Sequence, residues 1–102
     1  VNIVERARSA VGARFRLHGR EAATGLDCVG LAALAYGEAA VAAVDVRAGD
    51  LLLCASGPGQ LHLAIDSGGG VIHADAMLRR VVERPGPVPW TVIGRWRLKG
   101  ED

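Results

Sequence analysis

The chain has 102 residues, enough to bury one hydrophobic core and too few for two. Half of it is hydrophobic and the net charge is +1; the twelve basic residues, all but one of them arginine, are spread along the chain and nearly matched by eleven acids. That balance lacks the clustered basic charge of a nucleic-acid binder, two cysteines are too few for a disulfide scaffold, and no apolar run reaches membrane-spanning length. The opening Val1-Asn2-Ile3-Val4-Glu5 is not a signal peptide.

Asn2 to Val11 reads as a helix. Asn2 can cap it, Glu5 completes a capping-box pattern, and Ile3, Val4, Ala7 and Val11 share one face. Gly12 ends it. Ala13 to Gly25 is polar and is expected to form an ordered loop that wraps toward Cys28. A second helix, apolar nearly all round and therefore buried, is expected from Cys28 to about Tyr36. The alanine-rich stretch Gly37 to Val46 either extends that helix or forms a short one of its own. Gly49-Asp50 then turns the chain into a buried strand, Leu51 to Cys54, followed by a loop from Ala55 to Gln60.

Two alternating segments come next, Leu61 to Asp66 and Val71 to Asp75. The glycine-rich Ser67-Gly68-Gly69-Gly70 between them signals a hairpin. A further strand is expected near Arg80 to Arg84, before three prolines break the pattern. A last strand is expected from Val92 to Leu98, with Ile93, Arg95 and Arg97 on one side and Val92, Gly94, Trp96 and Leu98 on the other. Helices first and antiparallel strands after give an α+β class.

Chemistry concentrates at Cys28 and the hairpin. A thiol at the start of a helix lies at the positive end of the helix dipole, which favours thiolate. Thiolate is the form that attacks carbonyl carbon, and it needs a base. In the hairpin, a two-residue turn sets His62 opposite His73, and a four-residue loop sets it opposite Asp75. In both registers His62, His73 and Asp75 share a face, with Leu61, Leu63 and Ile72 on the other. A histidine base whose second nitrogen is held by an orienting group is the arrangement that nucleophilic catalysis requires. Cys28, His62 and His73 are thus the candidate nucleophile, base and orienter, with Asp75 as the alternative orienter.

Gly12-Ala13-Arg14-Phe15-Arg16-Leu17, Gly25-Leu26-Asp27-Cys28-Val29-Gly30-Leu31, Gly49-Asp50-Leu51, Leu61-His62-Leu63-Ala64-Ile65 and Val71-Ile72-His73-Ala74 together resemble the NlpC-type cell-wall peptidases. These are papain-like cysteine peptidases. Cys-Val-Gly-Leu at the cysteine is similar to phage-type and gene-transfer-agent-type members. The resemblance implies one peptidase domain over residues 1–102, with the cysteine helix packed on an antiparallel, barrel-like sheet. It implies cleavage of peptidoglycan stem peptides, typically between D-glutamate and a diamino acid, by Cys28, His62 and His73, with no metal or cofactor. The place of action it implies is the cell wall, in the periplasm or from a phage-like particle. In two respects the chain departs from the family: Phe15 stands where a tyrosine is usual, and Cys28 to Gly49 is short.

Other readings of the same residues are a structural or assembly module of a phage-like tail, with tail proteins as partners, and an amidase or acyltransferase using the same thiol and base. Cys54, at the end of an apolar strand, reads as an inert core thiol. Asp27 reads as a helix cap, His18 as a loop residue, and Trp90 and Trp96 as packing residues.

Overall fold

A computed structural model describes residues 2–36, 40–43 and 45–98. Helix α1 is Ile3–Ser9. The Asn2 side chain accepts a hydrogen bond from the Glu5 N–H at 2.8 Å, and Gly12, at φ 94°, turns the chain away after the helix. Next comes a hairpin of β1 (Arg20–Glu21) and β2 (Gly25–Leu26), where an ordered loop was expected. Two residues per strand are too few to leave an alternation signal. Helix α2 is Cys28–Tyr36, as the sequence predicts.

The remaining strands are β3 (Ala40–Ala42), β4 (Leu51–Gly57), β5 (Gln60–Asp66), β6 (Gly70–Asp75), β7 (Arg80–Pro85) and β8 (Thr91–Leu98). They form one antiparallel sheet in the order β3-β8-β4-β5-β6-β7, whose edge strands β3 and β7 do not pair with each other. Residues 40–42 therefore correct the expectation of a helix between Gly37 and Val46. Alanine favours helix in isolation, but here the stretch pairs with β8, and tertiary pairing overrides propensity. Residues 37–39 and 44 lie outside the described residues. The expected loop from Ala55 to Gln60 is also corrected. Strand β4 runs on to Gly57 and only Pro58 and Gly59, the latter at φ 68°, turn the chain into β5.

Side chains from the sheet pack on both faces. On the helix side, Ile65, Ile72, Ala74 and Val81 meet Ile3, Ala7, Leu31 and Ala35. On the other, Leu52, Cys54, Ala64 and Val71 are covered by Val88 and Trp90 from the segment that links β7 to β8. Cover on both faces explains the unbroken apolar run Leu51 to Cys54 in β4. Helix α1 also closes the far end of α2: Arg6 Nε donates to the Ala35 carbonyl at 2.7 Å, which places a cation at the negative end of that helix. No helix among the described residues is long and apolar enough to cross a membrane.

One end of the sheet is tied by charge. Asp50, fully buried, accepts from Arg95 Nη1 at 2.8 Å and from Arg97 Nε and Nη2 at 2.8 and 2.9 Å. Arg95 also donates to Asp66 at 3.0 Å. Burial alone would raise the Asp50 pKa, but bonds from Arg97, Arg95 and the Arg47 N–H outweigh it, and the carboxyl lies below its ordinary value. Removing one member of a buried ion cluster leaves its partners uncompensated. The Asp50→Asn variant should accordingly lose about 3 kcal/mol of stability, read as a lower urea midpoint at unchanged slope.

Candidate active site

Helix α2 starts where it does because Asp27 caps it. Asp27 Oδ1 accepts from the Gly30 N–H at 2.8 Å, the bond that an N-cap makes to the third helical residue. The same oxygen accepts from Arg20 Nη1 at 2.8 Å, and Oδ2 accepts from the His18 N–H at 2.8 Å. Burial pushes this carboxyl up, and the Gly30 and His18 N–H groups with Arg20 more than reverse the shift. The cap thus ties the loop and the β1 strand to the helix. Close backbone approach completes the joint: a Cβ on Gly30 would collide with the Gly19 carbonyl oxygen, and a Cβ on Gly19 with that of Gly25. Cys28 follows the cap directly. It is the first residue of the helix, a free thiol, and partly accessible.

Strands β5 and β6 pair through Ile65 with Ile72 and Asp66 with Val71, so four residues, Ser67 to Gly70, lie between the last paired residues. The Ser67 N–H bonds to the Gly70 carbonyl at 2.9 Å and the Gly68 N–H to Asp66 Oδ1 at 2.8 Å, while Gly68 takes φ 98°. Of the two registers open to the sequence, this is the longer-loop one. Asp75 is nevertheless not the bonded neighbour of His62. His62 Nε2 lies 3.0 Å from His73 Nδ1, with the two rings nearly perpendicular at 88°. Asp75 Oδ1 is instead occupied by the N–H groups of Met77 and Leu78, at 2.8 and 3.0 Å, in the turn before β7.

A third ring completes the cluster. The Trp90 indole stands edge-on to both imidazoles, with ring centroids 4.9 Å from His62 and 4.8 Å from His73. His73 is only 3% exposed, and among the described residues its Nε2 has no hydrogen-bond partner. Burial pushes the His73 pKa down, the neighbouring His62 and Arg84 add to the effect, and Asp75 opposes it, for a net value of about 4. His62 is also lowered, by burial, against the opposing charge of Asp75. Both imidazoles are therefore neutral at pH 7, the state in which a histidine can accept a proton.

These groups share one cavity of about 440 Å³. Its walls include Cys28, His62 and His73, the three candidate residues, together with Asp75 and Phe15. His18 is not among them; its side chain is exposed, and only its backbone joins the Asp27 cap. Cys54 faces His62 across the β4–β5 ladder but is wholly buried, and burial raises its pKa, as suits a core thiol. Among the wall residues that the sequence does not point to are Trp90, Ser56, Gln60 and Arg84. Trp90 was read as packing and does pack, but against the two histidines. Ser56 enters the wall at a bulge, between Ala55 paired with Leu61 and Gly57 paired with Gln60. Gln60 and Arg84 carried no signal, because their place depends on how distant strands align.

No protein-family model and no curated protein matches the chain. Among solved structures, it is similar to the NlpC/p60 domain of the peptidoglycan hydrolase SagA. The two share 27% sequence identity and superpose with a TM-score of 0.64, over 81% of this chain and 86% of that one. This likeness supports the NlpC-type resemblance carried by the motifs. Two helices on an antiparallel sheet are consistent with its papain-like architecture.

A neutral buried His73 has a consequence for folding. Between pH 6.5 and about 4 the unfolded chain holds the proton that the folded ring refuses, so stability falls as pH falls through that window and gains no further loss from this group below it. The full loss is about 3 kcal/mol. Urea midpoints at pH 7, 5.5 and 4.5 should decline in the wild type, and the His73→Gln variant, with nothing to titrate there, should decline less.

Proposed function

We propose that residues 1–102 form an NlpC-type peptidase domain that hydrolyses amide bonds in peptidoglycan stem peptides. The observation that carries this reading is the convergence on one cavity of a thiol at a capped helix N-terminus and a histidine whose ring is held by a second histidine. The kinship with a peptidoglycan hydrolase domain supplies the substrate class. The D-glutamyl–diamino acid bond is the bond proposed for cleavage, and the Cys28-Val29-Gly30-Leu31 form of the motif favours a phage-type member.

In this mechanism His73 Nδ1 engages Nε2 of His62 and leaves Nδ1 of His62 free to take the Cys28 proton. The thiolate attacks the amide carbonyl. The Cys28 N–H, one of the first-turn donors without a partner inside the helix, is the oxyanion donor. The His62 imidazolium then protonates the leaving amine, which departs and leaves an acyl-enzyme. His62 next takes a proton from water as its oxygen attacks the acyl carbon; the carbon–sulfur bond breaks, the acid leaves, and the proton passes from His62 to the Cys28 sulfur. Replacing Cys28 by Ala should abolish release of stem-peptide fragments from purified sacculi, followed by mass spectrometry, while thermal unfolding stays close to that of the wild type. Wild-type rates of release by this variant would exclude the mechanism.

A second reading is favoured by one wall residue. Phe15 lines the cavity and brings no hydroxyl, where the family resemblance leads to a tyrosine. A domain of this kind that serves as a structural part of a phage-like tail would keep the fold without an activated thiol. Alkylation by iodoacetamide separates the two readings. A catalytic Cys28 should react well below pH 8; a rate that rises only toward the free-thiol pKa of about 8.5 favours the structural role.

A further inference from the structure

The charges around the cavity are not all compensated. Asp27 is paired with Arg20, and Asp75 is held by two backbone N–H groups. The Arg84 side chain, exposed on the cavity wall, has no hydrogen bond or ion pair among the described residues. Arg14, Arg16, Arg79 and Arg80 likewise form no ion pair among the described residues, but of the arginines only Arg84 lies among the described residues of the cavity wall. The position of Arg84 follows from register. It pairs with Val71 on β6, and Val71, His73 and Asp75 alternate onto the same face. His73 therefore lies between Arg84 on one side and Asp75 on the other, and the guanidinium is near enough to help hold its ring neutral. A guanidinium presents a planar fork of donors that a carboxylate fits with two parallel hydrogen bonds.

We propose that Arg84 anchors a free carboxylate of the substrate, on the side of the histidine pair away from Asp75. The site would then select peptides in which an uncapped acid flanks the scissile amide. This inference rests on the peptidase reading of the same site and adds a specificity-determining residue to it.

The test compares two γ-D-glutamyl-L-lysine peptides that differ only in the glutamate α-group, carboxylate or carboxamide. Binding is measured by titration calorimetry on the Cys28→Ala protein, which holds them without cleavage. The acid should bind roughly tenfold more tightly at low salt, the scale expected for hydrogen bonds to a charged group. Its advantage should shrink as salt screens the pair. Adding Arg84→Gln should bring the two peptides to within about twofold, and Arg84→Lys should restore part of the difference. Equal binding of the two peptides, absence of binding, a preference indifferent to salt, or a preference that survives Arg84→Gln would each overturn the assignment. Hydrolysis by the Cys28 protein is measured in parallel. Hydrolysis without discrimination removes the role of Arg84 and spares the peptidase, whereas discrimination without hydrolysis does the reverse.

Discussion

The Asp27 carboxylate decides where helix α2 begins, and much of the cavity depends on that decision. It gathers one N–H from the helix, one from the loop and one guanidinium from β1. Each bond alone is modest, but together they fix the first turn of the helix against the segment that carries Phe15 and Leu17 to the cavity wall. The glycine contacts at positions 19 and 30 allow the backbones close enough for those bonds to form. Thiol position is thus a product of backbone proximity and one buried charge.

The histidine pair depends on a different constraint, the period of two along a strand. His62 and His73 lie on one face of β5 and β6, which pair at Ile65 with Ile72 and Asp66 with Val71, and they meet diagonally across the strands with Trp90 packed against both rings. The cover brings a cost. A ring sealed under an indole is hard to charge, which leaves His73 neutral far below the pH at which a free imidazole takes a proton.

How far the sequence foretold this varies with the range of the interactions. The cysteine helix was legible to the residue, since its cap and its apolar run are local. The hairpin was legible up to a choice between two loops, and the turn geometry at Gly68 makes the choice. The strand at Ala40–Ala42 was not legible, because alanine carries no strand preference and its partner, β8, lies more than fifty positions away in the chain. Trp90, Ser56 and Arg84 were missed for the same reason. A bulge, a crossing segment and an edge-strand register are all set by distant pairings, and none leaves a local pattern. Phe15 was visible as a departure from the family, and it does line the cavity.

Strand β5 carries two kinds of chemistry on one face. Toward its end, Asp66 joins the buried ion cluster with Asp50, Arg95 and Arg97; toward its start, His62 enters the cavity. The ion cluster and the candidate site are separated by less than the length of a single strand, yet they share no side chain. Residues at the His62 end of the strand can therefore be exchanged while the Asp66 end goes on holding the sheet together. Scaffold and cavity can then evolve on separate schedules.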